Sequence, residues 1–114
     1  MKSKQYIVPR TDGNVGVAFI EPDNVIRCEN KGQSSNIYFT NVEIAICPKP
    51  LEYLEVFLHD LNFVRINERH LINILQISHY LDIDNGRFLF MNDGVKIRIA
   101  YNKRELLEKR IEAL

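Results

Sequence analysis

The segment Phe63-Val-Arg-Ile-Asn-Glu-Arg-His-Leu-Ile-Asn-Ile-Leu-Gln-Ile77 contains two short apolar runs separated by a polar stretch. Branched and aromatic residues in runs of this length favour β-strands, so we predict strands over residues 63–66 and 71–74. Further strands are predicted over 76–81, 87–91 and 95–99. The last two flank Asn92-Asp93-Gly94, whose residues tolerate the positive backbone angles of a tight hairpin turn. The second half of the chain is therefore predicted to be a series of short strands joined by turns.

The first half of the chain shows the same alternation of apolar runs and turns. The runs over 5–8, 15–20, 25–29, 36–40 and 42–47 are rich in β-branched and aromatic residues, and residues with turn chemistry separate them. Pro48 and Pro50 end the last run because proline has no backbone donor.

Two segments have helical periodicity instead. In both, apolar residues recur at three- and four-residue spacing: Leu51, Leu54, Leu58 and Leu61 in the first, and Leu107, Ile111 and Leu114, with Leu106 beside them, in a tail from about Lys103. We predict a short amphipathic helix in each. The fold class that results is mainly β (α+β by count), with two short helices.

The composition is that of an ordinary globular domain. The 114 residues are 46% hydrophobic and 26% charged, and no repeat or linker divides them, so we predict one domain over residues 1–114. Cys28 and Cys47 lie in apolar stretches without C-x-x-C spacing or a secretory signal, which favours buried, reduced thiols in a reducing compartment. No apolar run is long enough to cross a membrane.

The formal net charge is zero, which argues against nucleic-acid binding through a global positive field. The charge is unevenly distributed, however. Residues 96–110 contain six basic residues against Glu105 and Glu108. One end of a neutral molecule can therefore be locally basic.

Two stretches resemble the LytTR-type DNA-binding domain of bacterial response regulators. In that family an aromatic-x-Arg-x-His-x-Ser turn leads into a Leu-Ile/Val-Asn strand, and this chain has Phe63, Arg65 and Leu71-Ile-Asn73 but neither the His nor the Ser. Residues 25–39 resemble the family's first hairpin, an apolar strand ending in Glu and a Gly-Asn-Tyr-like loop. The resemblance covers nearly the whole chain. It implies an elongated arrangement of antiparallel strands that recognises DNA major grooves through loops rather than a recognition helix.

The resemblance also implies three DNA-contacting segments, 31–36, 67–69 and 100–104. Amide, acidic and aromatic side chains would contact base edges: Gln33, Asn36, Asn67, Glu68, Tyr101 and Asn102. Cations and hydroxyls would contact phosphates: Lys31, Ser34, Ser35, Arg69, Lys103 and Arg104.

Two of the three segments depart from the family pattern. Asn67 and Arg69 stand where the family has His and Ser, and Glu68 would repel phosphate and can only accept from a base amine such as cytosine N4. Ala100 and Tyr101 replace a Ser-Arg pair after the last strand. These departures leave the predicted fold intact and weaken the transfer of individual contacts.

Several of these residues also have a structural interpretation. Gly, Ser and Asn in 31–36 are common turn formers, and Glu68 and Arg69 can form a solvated ion pair. Asn73 ends a predicted strand, where its side chain would bond backbone. For Arg65, pairing with a carboxylate and contact with DNA are equally open.

The leading hypothesis is a sequence-specific DNA-binding domain of a bacterial transcriptional regulator in the cytoplasm. The family's usual targets are direct repeats of double-stranded DNA occupied by two copies, and its usual partner is a receiver domain within a sensor-kinase pathway. No receiver is present in these residues, so the chain is either a stand-alone domain or a piece of a longer protein. The alternative hypothesis is a protein-interaction module that keeps the fold and has lost DNA binding.

No enzyme, metal or cofactor is expected. His59, His70 and His79 share no metal-ligand spacing with cysteines or acids, and the chain has no nucleophile or phosphate-loop motif. Asp82, Asp84 and Asn85 before Gly86 lack the frame of a calcium loop, so a hairpin turn is expected there.

Overall fold

The structure is a computed structural model that describes residues 6–9, 17–59, 61–83 and 86–114. Within these residues the strands are β1 (Tyr6–Pro9), β2 (Val17–Ile20), β3 (Val25–Lys31), β4 (Ser34–Phe39), β5 (Ile44–Cys47), β6 (Phe63–Asn67), β7 (His70–Asn73), β8 (Ile77–Ile83), β9 (Gly86–Met91) and β10 (Lys96–Arg98). The helices are α1 (Leu51–Leu58) and α2 (Arg104–Glu112), with single 3-10 turns at Pro22–Asn24, Ile74–Gln76 and Tyr101–Lys103. The predicted mainly β fold with two short helices is confirmed.

The strands form three antiparallel sheets. Their orders are β5-β4-β3-β7-β6, β10-β9-β8 and β1-β2. The molecule measures 45 × 34 × 24 Å along its principal axes, in agreement with the predicted elongated arrangement. Adjacent strands are mostly neighbours in sequence, since β3–β4, β6–β7, β8–β9 and β9–β10 are all hairpins.

Two apolar cores lie on opposite faces of the five-stranded sheet. The first joins Cys28 and Ile37 of the sheet to the leucines of α1. The second joins Val64 and Ile72 of the sheet to the three-stranded sheet and α2. Its buried residues are Ile26, Val64, Ile66, Ile72, Ile74, Leu89, Met91, Ile97, Ile99 and Leu107. The β strands of the middle layer are therefore apolar on both faces, which explains their nearly continuous hydrophobic runs.

Helix α1 follows the predicted leucine stripe. Leu51, Leu54 and Leu58 are at most 1% exposed, and burial of each stabilises the fold by about 2 kcal/mol. The helix ends at Leu58, one turn before Leu61, which is half-buried beside the first core. Pro50 precedes the helix, where its missing N–H costs no hydrogen bond.

The tail also forms the predicted helix, but one predicted packing residue is wrong. Leu107 is buried and Ile111 packs against the second core. Leu114 lies beyond the end of α2 and is 61% exposed, so it does not pack back on the sheet. The helical spacing identified the face correctly but not the point where the last turn leaves the sheet.

The predicted loop over 31–36 is much shorter in the structure. Lys31 pairs with Ser34 across the β3–β4 hairpin, so the turn consists of Gly32 and Gln33 alone. Gly32 has φ +75°, which favours glycine in such a tight turn. Ser34, Ser35 and Asn36 belong to β4 rather than to a loop.

Several smaller predictions can be compared with the structure. The hairpin around Asn92-Asp93-Gly94 joins β9 to β10, and Ile83 pairs with Gly86 in the β8–β9 hairpin.

Cys28 and Cys47 are both buried and unpaired, and burial raises the pKa of the Cys28 thiol to about 12. Predicted strand positions 5, 15 and 16 lie outside the described residues. Neither described helix is long and apolar enough to span a bilayer.

Candidate nucleic-acid interface

Two of the three predicted segments meet in the structure. The Asn67 side-chain amide donates to the Arg98 carbonyl at 2.7 Å, and the Ala100 amide donates to the Ile66 carbonyl at 2.8 Å. These bonds fasten the β6–β7 turn to the end of β10. Residues 67–69 consequently line one surface together with Ala100, Asn102 and Lys103, which follow thirty or more residues later in the sequence.

That surface is an open concavity of about 700 Å³, which we call the central depression. Its lining residues are Glu55, Arg65, Asn67, Glu68, Arg69, His70, Lys96, Ile97, Arg98, Ala100, Asn102 and Lys103. Five of these are Arg or Lys and two are Glu, so the depression is locally positive on a chain of zero net charge. A concave cationic surface of this kind attracts polyanions.

Arg65 has a structural role at the floor of the depression. Its Nη1 lies 3.1 Å from the Glu52 carboxylate and 3.2 Å from that of Glu55, both on α1. Its other nitrogens donate to the carbonyls of Asn67 and Glu68. The guanidinium therefore holds the β6–β7 turn against α1, which favours the structural interpretation that the sequence left open.

Lys96 and Arg98 belong to the depression although neither was among the predicted contacts. Both point outward from β10, and their cationic groups lie 4.3 Å and 5.4 Å from the centre of the Phe88 ring. Gly86 leaves the space that the Arg98 guanidinium occupies. The signal for them was present in the alternation of residues 95–100, which predicts one cationic face.

The β3–β4 turn lies beside the depression rather than in it. Strand β3 pairs with β7, and the Asn30 amide donates to the Arg69 carbonyl at 2.8 Å. Lys31 and Arg69 share one carboxylate oxygen of Glu29, at 3.6 Å and 3.9 Å. The cations of the first two predicted segments are thus neighbours.

Not every predicted contact is equally accessible. Ser35 is fully buried and its hydroxyl donates to the Lys49 carbonyl at 2.9 Å. The Asn67 side chain donates to Arg98 and accepts from the Arg69 amide at 2.8 Å, so both ends of its amide are used within the protein. Asn36 is half-buried and donates to the Tyr38 hydroxyl at 3.2 Å.

The third segment presents more free surface. Tyr101 is 82% exposed, and Asn102 is exposed beside it. Arg104 is half-buried, with its guanidinium 4.9 Å from the centre of the Tyr101 ring. The first helical turn thus carries an exposed aromatic ring and an amide next to two cations, Lys103 and Arg104.

Asn73 has the structural role expected of it. It is 2% exposed, donates to the Val25 carbonyl at 2.9 Å and accepts from the Leu75 amide at 3.0 Å. It caps the 3-10 turn after β7 and ties that turn to β3.

The ionisable groups at the edge of the depression influence each other. Burial opposes ionisation of Glu29, but the Tyr38 hydroxyl and the charges of Lys31, His70 and Arg27 lower the pKa of its carboxyl below the usual value. Burial lowers the pKa of His70, with Glu29 acting in the opposite direction. Glu29 is therefore anionic and His70 mainly neutral near pH 7. Across the described ranges, no cluster of three or more His, Cys, Asp or Glu side chains could hold a metal ion.

The fold and this surface define a β-rich domain with cationic turns, and the two helices in the described part of the chain do not form a helix-turn-helix. The family model described as the LytTr DNA-binding domain matches residues 16–112, and the chain therefore belongs to the LytTR family. No curated protein matches it. Among solved structures it is similar to the LytTr DNA-binding domain of a methyl-accepting/DNA response regulator from Bacillus cereus, with a TM-score of 0.74 at 18% identity, over 97% of this chain and 98% of that one. At this identity the structural match supports the fold alone.

Proposed function

We propose that this domain binds double-stranded DNA sequence-specifically as the output domain of a bacterial transcriptional regulator, with the central depression facing the DNA. The observation that supports this most is the meeting of the β6–β7 turn, β10 and the segment after β10 around one cationic concavity. Family membership supports DNA binding, and the depression supplies a surface with the right charge.

The proposed phosphate contacts are the exposed and half-buried cations in and beside the depression. They are Lys31, Arg69, Lys96, Arg98, Lys103 and Arg104. Ser35 is left out because its hydroxyl is buried, and Ser34 is a weaker candidate because its hydroxyl faces the Lys31 carbonyl at 3.4 Å. Each phosphate contact releases counterions, so affinity should fall steeply with salt.

The proposed base contacts are the polar side chains exposed at the turn tips. They are Gln33, Glu68, Tyr101 and Asn102. Asn67 is left out because its amide already holds the turn, and Asn36 would have to release Tyr38 to reach a base. Amides can bond adenine and Glu68 can accept from cytosine, so the exposed set is able to distinguish bases.

The resemblance further implies loops inserted into successive major grooves, two copies on a direct repeat, a receiver domain elsewhere in the protein and a cytoplasmic location. These remain parts of the proposal. A sheet domain that uses loops must place each turn over a groove, and the 45 Å long axis exceeds one helical repeat of about 34 Å. One domain is therefore long enough to extend over neighbouring grooves.

The experiment is selection of bound sequences from a randomised duplex pool at moderate salt, followed by titration of the enriched duplex over a range of salt. Lys96→Ala and Arg98→Ala should weaken binding to all duplexes and each lower the salt slope by about 0.9. Asn102→Ala should instead alter the sequence preference. Lys109→Ala is the matched control, since that lysine is 69% exposed, outside the depression and paired with Glu105.

The alternative is an interaction module, and one observation favours it. Strand β5 is an edge of the five-stranded sheet, and its outward-facing Ile44 and Ile46 are 58% and 50% exposed. Exposed apolar residues on an open edge are typical of strand-pairing surfaces. A folded domain that enriches no duplex sequence would move the proposal to this alternative.

A further inference from the structure

Glu29, which is not among the proposed DNA contacts, is the carboxylate on which the cations of two hairpins converge. Lys31 is the last residue of β3, directly before the β3–β4 turn, and Arg69 lies in the β6–β7 turn. Both approach Glu29 Oε2, at 3.6 Å and 3.9 Å. His70 Nε2 lies 3.8 Å from the same oxygen. A single acidic group thus sits between the first and second proposed contact segments.

The other carboxylate oxygen of Glu29, Oε1, contacts Tyr38 and Arg27. The Tyr38 hydroxyl donates to its Oε1 at 3.1 Å, and Arg27 Nη1 lies 3.6 Å from that oxygen. Arg27 lies 3.7 Å from the centre of the Tyr38 ring and is bound to Asp93 at 2.9 Å. The Glu29 side chain is only 16% exposed. One carboxylate oxygen is therefore fixed by the buried Arg27 and the half-buried Tyr38, while the other faces the surface cations.

This arrangement has a consequence for long cationic side chains. Lys31 and Arg69 are 43% and 67% exposed, and such side chains otherwise sample many rotamers. Ordering them upon binding costs conformational entropy, and a fixed counter-charge reduces that cost. The hydrogen bond from the Asn30 backbone amide to the Arg69 carbonyl keeps the two hairpins in register around Glu29.

We propose that Glu29 is a positioning residue for DNA binding, whose carboxylate pre-orients Lys31 and Arg69, from two different hairpins, for adjacent phosphates. This rests on the proposed function. It also leads to an expectation opposite to simple electrostatics. An anionic side chain near DNA repels phosphate, so neutralising it should raise affinity if it had no other role.

The decisive variant is Glu29→Gln, which keeps an acceptor for the Tyr38 hydroxyl and removes the charge. Titration of the enriched duplex should show an affinity about tenfold lower, because two side chains must then be ordered on binding. The salt slope should fall by up to about 1.8 if both phosphate contacts are lost. Loss of folded protein alone would lower the apparent affinity and leave the slope unchanged.

Glu105→Gln is the matched control. Glu105 is 82% exposed, outside the depression and paired with Lys109, so this variant makes the same charge change away from Glu29. It should raise affinity slightly or not at all. Tyr38→Phe is a second variant without any charge change. It removes the hydrogen bond to Glu29 Oε1 and should lower affinity by less than Glu29→Gln does. This variant tests the positioning role even if Glu29→Gln folds poorly.

A double-mutant cycle tests whether Glu29→Gln lowers affinity through Lys31 and Arg69. In a Lys31→Ala, Arg69→Ala background, Glu29→Gln should no longer lower affinity. An equal loss in that background, or unchanged or raised affinity of Glu29→Gln in the wild-type background, would overturn the positioning role while leaving DNA binding established. No binding by the folded wild-type domain would overturn the proposed function and the positioning role together.

Discussion

Arg27 Nε donates to the Asp93 carboxylate at 2.9 Å, and this bond joins the five-stranded sheet to the β9–β10 turn of the three-stranded sheet. Arg27 is 6% exposed, so its charge depends on partners within the protein. Those partners are Asp93, the more distant Glu29 and the Tyr38 ring. The contact fixes how the hairpin that carries Lys96 and Arg98 lies against the sheet that carries the other two turns.

Asp93→Asn should therefore destabilise the domain. The variant preserves the size of the side chain and removes the charge that compensates a buried guanidinium, and we expect the free energy of unfolding to fall by about 2 kcal/mol. Urea unfolding followed by circular dichroism measures it. Asp82→Asn is the control, since Asp82 is 67% exposed and lies 3.5 Å from Arg87, and it should cost under about 0.5 kcal/mol. Equal losses in the two variants would mean that the contact of Asp93 with the buried Arg27 stabilises the fold no more than a surface ion pair does.

The fold was predictable because its determinants are local. The leucine spacing of α1, the Asn-Asp-Gly turn and the alternating strands act within a few residues, and the structure contains each of them. The predicted packing of Leu114 against the sheet was wrong, because the point where a helix leaves the core depends on where the sheet ends. The predicted length of the β3–β4 turn was also wrong. Serines are common in loops, but Ser34 and Ser35 pair with β3 as part of a strand.

The candidate site was less predictable because it depends on contacts between distant segments. Nothing near Asn67 in the sequence shows that its amide is used by Arg98, thirty-one residues away. Nor does any local pattern place Lys31 and Arg69 on one carboxylate. The cationic face of β10 was visible as alternation, but its position beside the β6–β7 turn follows only from the way the sheets pack.

Asn73→Ala should be among the most destabilising single substitutions at a polar residue. It would leave the Val25 carbonyl and the Leu75 amide without their side-chain partner in a site that is 2% exposed. We expect a loss of about 3 kcal/mol in the free energy of unfolding, measured by urea denaturation. Asn92→Ala is the control, because Asn92 is exposed and its side-chain amide donates to the Gln76 side chain at 2.9 Å on the surface. Comparable losses would contradict a capping role for Asn73.

The stability of the domain should depend on pH through His70. Burial lowers the pKa of His70 in the folded state below its ordinary value of 6.5, despite the nearby Glu29. The unfolded chain therefore binds a proton more readily than the folded one between those two pKa values. The contribution of His70 to stability is complete above pH 6.5 and is lost as the pH falls toward the folded pKa. The pKa of the Glu29 carboxyl lies below its ordinary value of 4.5, so Glu29 titrates in a separate, lower pH range.

His70→Gln should flatten this dependence. Free energies of unfolding measured by urea denaturation at pH 7.5, 6.5 and 5.5 should decrease less in the variant than in the wild type. A single group contributes at most about 1.4 kcal/mol for each pH unit. His79→Gln is the control on β8, where His79 is exposed. If the wild type and His70→Gln had parallel pH profiles, the half-buried His70 imidazole would not be the titrating group.

Gly86→Ala should weaken DNA binding by displacing Arg98. A Cβ at position 86 would lie 2.9 Å from Arg98 Nη1 and 3.1 Å from the Phe88 ring, and the flexible end of the arginine is the group that can move. The fold should be retained, because only a side-chain tip has to shift. Affinity for the enriched duplex should fall by roughly threefold to tenfold, as expected for a weakened cationic contact. Ser78→Ala on the same sheet is the control and should leave affinity unchanged.

Combining the substitutions shows whether Arg98 transmits the effect of Gly86→Ala. If the new methyl group acts by moving the guanidinium, Arg98→Ala removes the clash, and Gly86→Ala should then have no further effect on affinity. An undiminished loss in the Arg98→Ala background would instead point to Phe88, the other side chain within 3.1 Å of the new Cβ. In that case the packing of the ring, on which Lys96 also rests, would be what the small residue at position 86 protects.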